Sequence, residues 1–150
     1  LPASKSEAEA AADLQELAEE QGVRLEFDAS EPAWTPLTDR MAATVVRNLV
    51  ENAVKYAGPG ATAATRVRRE GDLVTLTVAD DGAGIPERHL PHVFERFYRA
   101  DPSRSKRLGG TGLGLSIVKH IAERFGGRAE ASSREGFGTT VTVTLPAEEP

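Results

Sequence analysis

Hydrophobic and polar positions along the chain follow two repeating patterns, which predict a mixture of helices and strands. Helical periodicity and helix-end signals predict helices over residues 6–21, 38–57 and 112–125, and a short helix within 87–99. Alternation of apolar and polar residues predicts strands over residues 23–28, 62–69, 73–80, 128–134 and 138–145. Glycine-containing turns join the last four strands in pairs, as in hairpins. Because helices and strands do not alternate as regular βαβ units, the order favours an α+β fold over a parallel α/β sheet.

The composition is that of one globular domain, since the chain has 150 residues of which 39% are hydrophobic. It has no cysteine, which excludes disulfides and thiolate metal sites. No apolar stretch approaches the ~18 residues of a membrane-spanning helix, so we expect a cytoplasmic location and no direct membrane contact by this fragment. Because Leu1 is not a natural start, we expect the chain to be part of a longer protein, and whether that protein is membrane-anchored stays open.

Charge is distributed unevenly along the chain, whose net charge is −5. Acidic residues dominate residues 5–31, whereas bases dominate residues 96–107. An acidic chain with one basic segment argues against general nucleic-acid binding. It favours a small polyanion that is bound at one place.

The most informative position is Asp80, at the end of the strand predicted over residues 73–80. Strand alternation places Asp80 on the same face as the apolar residues of that strand, so its carboxylate points towards the buried side. A carboxylate there needs a hydrogen-bond donor. Gly82 and Gly84 follow and allow backbone to approach a flat ligand, whereas Asp81 has the opposite parity and is expected to be solvated. The pattern predicts a pocket floor for a neutral donor, such as the exocyclic amine of adenine.

Polar side chains share one edge of the helix predicted over residues 38–57. On a helical wheel Asn48, Asn52 and Lys55 lie within a narrow sector, opposite the apolar face. Amide oxygens suit magnesium, and a lysine meets a phosphate as a point charge. The alternative is a solvated helix face with a Glu51–Lys55 ion pair.

A glycine-rich segment, residues 109–115, leads into the helix predicted over residues 112–125. Free backbone N–H groups at the start of a helix form a cradle for phosphate. The segment lacks the lysine of a Walker A loop, and no strand precedes it as in a Rossmann fold. A flexible hinge is the alternative interpretation.

An aromatic cluster precedes the basic segment, with Phe94, Phe97 and Tyr98 at helical spacing. Such spacing is typical of a core stripe. With Arg96 and Arg99 beside it, the cluster also fits the anchored end of a lid that closes over phosphates.

Five motifs together resemble the N, G1, F, G2 and G3 boxes of sensor histidine kinases: Asn48-x-x-x-Asn52, Asp80-x-Gly82-x-Gly84, Phe94-Glu95-Arg96-Phe97, Gly110-x-Gly112-x-Gly114 and Gly136-x-Gly138-Thr139. The resemblance covers roughly residues 23–145. It implies the Bergerat fold, a two-layer α/β sandwich in which a mixed β-sheet packs against about three helices, with a mobile ATP lid. Residues 1–22 would then be a linker or first helix from a preceding dimerisation domain, and residues 23–150 the ATP-binding catalytic domain.

The resemblance also implies ATP and Mg²⁺ as cofactors and gives roles to individual residues. Asp80 would bind the adenine amine, with Tyr56 packed near the base. Asn52 would hold the metal, and Asn48 and Lys55 would be the catalytic residues beside the phosphates. The remaining residues expected to bind the cofactor are Gly82, Gly84, Ile85, Arg99, Gly110, Thr111, Gly112, Leu113, Gly114, Leu115 and Thr140.

By resemblance, the domain would present the ATP γ-phosphate to a histidine on a separate dimerisation and phosphotransfer domain of the same protein, with a response regulator downstream. None of His89, His92 and His120 lies in the family's acceptor motif. Related ATPases and sigma-factor-regulating serine kinases are alternatives. The related ATPases carry glutamate where this chain has Asn48, and the serine kinases also tend to do so. An amide cannot act as a general base, so Asn48 disfavours hydrolysis. A nucleotide-sensing module without transfer activity also stays open.

Overall fold

The computed structural model describes residues 14–28, 33–85, 88–95, 114–134 and 136–148. Residues 14–21 are helical and are called α1 here. The other helices are α2 (Asp39–Ala57) and α3 (Gly114–Arg124), and a 3-10 turn spans Leu90–His92. The strands are β1 (Arg24–Asp28), β2 (Thr62–Glu70), β3 (Leu73–Asp80), β4 (Arg128–Arg134) and β5 (Gly138–Pro146). No helix in these ranges is long and apolar enough to cross a bilayer.

The strands form one mixed sheet in the order β1-β2-β3-β5-β4. Strand β1 runs parallel to β2, and all other neighbours are antiparallel. The predicted hairpins β2–β3 and β4–β5 are both present, and Gly71 and Gly136 adopt positive φ in their turns. Strand β3 is therefore central, and its last residue, Asp80, lies opposite Thr139 of β5.

Helices α2 and α3 cover one face of the sheet. The apolar side of α2 is fully buried there: Val46, Leu49 and Val50 are each at most 1% exposed. Fully burying a side chain of this kind stabilises the fold by roughly 1.5–3 kcal/mol. The start of α2 is fixed by Thr38, whose hydroxyl accepts a hydrogen bond from the backbone N–H of Met41 at 3.1 Å. This orientation leaves the polar edge of α2 beside the core rather than inside it.

The predicted mixed α/β sandwich is confirmed, and strand boundaries agree to within one residue. Within the predicted helix 6–21, residues 6–13 lie outside the described residues, as does the start of the helix predicted over 112–125. In the region 87–99 the structure describes a 3-10 turn, and Phe94 packs against the core. Phe97 and Tyr98, and hence the predicted lid, lie outside the described residues.

Candidate nucleotide-binding site

The polar edge of α2 lies where the helical wheel predicts it. Asn48, Asn52, Lys55 and Tyr56 are all half-buried, next to the fully buried apolar side of the helix. Their partial exposure leaves these side chains accessible to a ligand that lies along this edge of the helix. The four residues therefore form one continuous polar border along α2.

Asn48 lies where α2 meets the start of α3. Its Nδ2 donates a hydrogen bond to the carbonyl of Thr44 at 2.9 Å, which fixes the direction of the amide. A Cβ placed on Gly114 would lie 3.1 Å from Asn48 Oδ1, so α3 approaches this amide closely. Gly114 is the first residue of α3 that the structure describes, and the N-terminal end of this helix is the positive end of its dipole. An anion bound there would lie beside Asn48.

The end of α2 meets the segment of residues 80–85, which is called the aspartate loop here. The Ala57 carbonyl accepts a hydrogen bond from the Ala83 N–H at 3.2 Å. A Cβ on Gly82 would lie only 2.0 Å from the Ala57 oxygen. The sequence suggested glycine for the approach of a ligand, whereas the structure shows that Gly82 makes room for α2. Gly84 has φ +77°, a conformation that favours glycine.

These two contacts define the length of the site. Ala57 follows Asn48 by nine residues on α2 (57 − 48 = 9). At ~1.5 Å per residue the two ends are ~14 Å apart along the helix. An extended nucleoside triphosphate can span this distance, with its base at the aspartate loop and its phosphates towards α3.

The Asp80 carboxylate is half-buried and held by backbone groups. Its Oδ1 accepts a hydrogen bond from the Gly82 N–H at 3.0 Å, and the backbone of Thr139 provides a second bond. Burial raises the pKa of Asp80 above the ordinary value, while the two backbone hydrogen bonds lower it and the nearby charge of Asp81 raises it. A further hydrogen-bond donor, such as one from a ligand, would stabilise the charged carboxylate.

Asp81 has a different role from its neighbour. It is exposed, as the strand parity predicts, and its Oδ1 accepts a hydrogen bond from the Thr62 N–H at 2.7 Å. This bond ties the aspartate loop to the first residue of β2. Asp81 therefore shapes the loop from outside, while Asp80 faces inward.

The prediction for Thr140 is corrected by the strand register. Thr139 pairs with Asp80, whereas Thr140 pairs with Ala79. Since successive residues of a strand point to opposite faces, Thr140 lies on the face of the sheet away from Asp80. Thr139 is 7% exposed and is the threonine beside the aspartate. The sequence shows that Thr139 and Thr140 point to opposite faces of β5. Which of them lies beside Asp80 depends on the register between β3 and β5, which the sequence does not show.

The remaining predicted residues divide into two groups. Ile85 and Leu115 are each 8% exposed, and Leu115 belongs to the core beneath α3. Arg99 and the segment from Gly110 to Leu113, including Thr111 and Gly112, lie outside the described residues. The structure therefore brings together the aspartate loop, the edge of α2, the start of α3 and the turn between β4 and β5.

In the described part of the chain, no group of three or more His, Cys, Asp or Glu residues could hold a metal ion. A metal at this site would need other ligands, such as amide oxygens and ligand phosphates. A groove of about 680 Å³ lies elsewhere, lined by residues of β1, β2 and β3. Asp28, one of the two acidic residues that line this groove, pairs with Arg68 at 2.6 Å.

Residues 38–149 match the family described as histidine kinase-, DNA gyrase B-, and HSP90-like ATPase. The chain belongs to this ATPase family. Membership implies ATP binding, and the match includes every described element from α2 to β5. The resemblance inferred from the five motifs is thereby confirmed.

Sensor kinases are among the curated proteins that are similar to this ATPase domain. Sensor histidine kinase WalK of Bacillus subtilis (strain 168) is 46% identical over 107 residues, which are 70% of this chain and 18% of WalK. Sensor-like histidine kinase SenX3 of Mycobacterium tuberculosis (strain ATCC 25618 / H37Rv) is 43% identical over 104 residues, 69% of this chain and 25% of SenX3. The chain thus spans at most a quarter of the length of either relative.

A solved structure, the mycobacterial sensor histidine kinase MprB, shares the fold of this ATPase domain. Its TM-score is 0.83 at 23% identity, and the match covers 100% of this chain and 99% of that chain. At this identity the likeness shows the fold alone.

Proposed function

We propose that the chain is the catalytic, ATP-binding domain of a sensor histidine kinase. The observation that supports this most directly is the Asp80 carboxylate, half-buried and fixed by backbone groups on two sides. Its free lone pairs suit the exocyclic amine of adenine. Guanine has an acceptor oxygen at that place, and a buried unpaired group costs ~1–3 kcal/mol. We therefore expect at least ~10-fold preference for ATP over GTP.

The triphosphate would lie along α2. Asn48 and Lys55 would meet the phosphates, near the N–H groups at the start of α3. Asn52 is the residue that would hold Mg²⁺, together with phosphate oxygens. The donor set fits, since magnesium commonly keeps only one or two protein ligands at phosphate sites. When bound, the ion would neutralise charge on the phosphates.

Phosphoryl transfer, rather than hydrolysis, fits the residues along α2. The amide of Asn48 cannot accept a proton from water, so the site lacks a base at this position. Positioning and charge neutralisation suffice for transfer to a better nucleophile. That nucleophile would be a histidine on a dimerisation and phosphotransfer domain of the same protein, and a response regulator would receive the phosphate afterwards.

The histidines described here fit other roles. His92 Nδ1 lies 2.8 Å from a carboxylate oxygen of Glu95, and His120 is exposed on α3. Relatives such as WalK are several times longer than this chain, which leaves room for an acceptor domain. We therefore expect the chain to bind nucleotide alone and to transfer phosphate only when an acceptor is added.

The decisive experiment mixes the chain and γ-labelled ATP with a separately made acceptor helical hairpin. Acid-labile, base-stable label on the hairpin would support the histidine kinase. Release of free phosphate without labelled hairpin would instead indicate an ATPase. Binding of ATP with neither product would indicate a nucleotide-sensing module.

A further inference from the structure

One hydroxyl outside the five motifs contacts both segments that surround Asp80. Ser133 Oγ accepts a hydrogen bond from the Ile85 N–H at 2.6 Å and donates one to the Gly138 carbonyl at 2.9 Å. Thr139 Oγ1 lies 2.9 Å away as a further partner. A serine hydroxyl has one donor and two acceptor positions, so these three contacts use its full capacity. Ser133 thereby joins the end of the aspartate loop to the start of β5.

The same hydroxyl is connected to the Asp80 carboxylate through a single peptide group. The carbonyl of Gly138 accepts from Ser133, and the N–H of Thr139 belongs to the same peptide unit. That backbone group of Thr139 is one of the two that hydrogen-bond Asp80. Hydrogen bonds in such a chain polarise one another. A donor at the carbonyl therefore strengthens and directs the N–H that holds the carboxylate.

The position of Ser133 in β4 indicates that the hydroxyl is there for these bonds. The residues before it on the same face, Ala129 and Ala131, pack against the core. A half-buried hydroxyl on such a face is unfavourable unless its hydrogen bonds are made. Its neighbour Ser132 is exposed and points to the opposite face.

We propose that Ser133 is a positioning residue of the nucleotide site, which orients the Asp80 carboxylate for adenine through the Gly138–Thr139 peptide group. The inference rests on the proposed function, because it assumes that Asp80 binds the base. It assigns Ser133 no contact with the phosphates. The effect of losing the hydroxyl should therefore depend on which part of the ligand is probed.

Calorimetric titration of the full chain with Mg-ATP and with inorganic triphosphate tests this proposal. Ser133→Ala should lower ATP affinity about 10-fold, as expected when a buried hydrogen-bonding partner is removed. Triphosphate affinity should change by less than about 2-fold, since no hydrogen bond to the phosphates is lost. Ser133→Thr keeps the hydroxyl and should restore most of the ATP affinity. Ser132→Ala is the matched control and should bind both ligands as the unaltered chain does.

Three results would overturn the inference. The first is that Ser133→Ala binds ATP as tightly as the unaltered chain does. The second is that Ser133→Ala loses as much affinity for triphosphate as for ATP. The third is that Ser133→Thr does not restore ATP binding. If Ser133→Ala does not fold, Ser133→Cys replaces it, because a thiol keeps the shape but donates weakly. An undiminished ATP affinity in that variant would also overturn the inference. Absence of ATP binding by the unaltered chain would instead count against the proposed function.

Discussion

The two ends of the candidate site are built in different ways. At the end proposed to bind adenine, which is called the adenine end here, chain segments touch through their backbones, since Gly82 packs on Ala57 and Gly138 packs on Asp80. At the phosphate end, the described groups are side chains such as Asn48 and Lys55, on the border of one helix. In the proposed binding mode, the base would therefore meet a frame that is fixed by folding. The phosphates would instead meet side chains that are carried by a single helix.

This difference predicts how each end responds to substitution. A backbone contact cannot be relieved by a new rotamer, so substitution of the glycines in these contacts should affect both folding and binding. Changes along α2 should alter the chemistry of the ligand site with a smaller effect on stability. Substitutions with matched controls at each end can test this distinction.

The largest effect is expected from Gly138→Ala. Gly138 has φ +122°, and a Cβ there would lie 1.9 Å from the Asp80 carbonyl oxygen. Strain and the clash together should cost at least ~3 kcal/mol of unfolding free energy, measured by urea denaturation. Gly136→Ala is the control in the same turn, because φ is +85° but nothing lies within 4 Å of the added Cβ. It should lose only ~1–2 kcal/mol. Equal losses in the two variants would contradict the argument from backbone contact.

Asp80→Asn should weaken ATP binding by about 2 kcal/mol, or roughly 30-fold, since a charge-assisted hydrogen bond to the base is lost. The preference for ATP over GTP should shrink as well, because the new amide can donate to the guanine oxygen. Stability without nucleotide should not fall, since the substitution removes a partly buried charge. Asp81→Asn is the control: it keeps the acceptor for Thr62 and should bind ATP normally. A smaller loss at position 80 than at position 81 would refute the assignment.

The pH dependence follows from the pKa of Asp80, which burial raises above 3.8. Between 3.8 and the folded-state pKa, the native chain binds more protons at this group than the unfolded chain. The contribution of Asp80 to stability therefore falls as pH rises through this window. Nucleotide affinity changes in the opposite sense, because the charged carboxylate is a stronger acceptor for the base amine than the protonated acid. As the solution is acidified, ATP affinity should begin to decline at a pH above the pKa of an ordinary aspartate.

Asp80→Asn separates this effect from titration of the ligand. Unfolding free energy and ATP affinity would be measured from pH 4 upwards in both chains. In the variant, neither the unfolding free energy nor the ATP affinity should show the pH dependence that Asp80 contributes. Identical pH profiles in the two chains would show that another group titrates.

At the phosphate end, Asn48→Glu should raise ATP hydrolysis by about 10-fold, because a carboxylate can take a proton from water. The change also removes the donor to the Thr44 carbonyl, at a cost of ~1 kcal/mol in stability. Phosphate release and thermal unfolding measure the two effects. Asn48→Gln, which stays an amide, should show no gain in hydrolysis. Unchanged hydrolysis in the glutamate variant would remove the argument for transfer over hydrolysis.

The smallest effect is expected at Thr140, and it tests the register of β5. Thr140→Val should leave ATP affinity within about 2-fold, since an isosteric change on the far face loses no hydrogen bond to the site. Thr139→Val should lower affinity several-fold, because its hydroxyl contacts Ser133 next to Asp80. The reverse order would restore the original prediction for Thr140.

Local patterns in the sequence predicted much of this molecule. Helical periodicity predicts the long amphipathic helix α2 and its polar edge, and strand alternation predicts that Asp80 points inward. The contacts that were missed are between distant segments. Nothing near Gly82 in the sequence points to Ala57. The alternation of β4 places Ser133 on the face of Ala129 and Ala131, but it does not reveal the contacts of Ser133 with Ile85 and Gly138. Such contacts depend on strand register and on the close approach of segments that are distant in sequence. Neither produces a periodic pattern in the local sequence.

The register of the central strand has a practical consequence. Leu73, at the beginning of β3, pairs with Pro146, whereas Asp80 at its end pairs with Thr139. Seven steps of ~3.4 Å place the two pairs ~24 Å apart. A fluorophore attached after β5, for instance at Glu148, would therefore sit at the far side of the molecule from the proposed base. It could report on nucleotide uptake by energy transfer from a labelled ligand without competing for the same space.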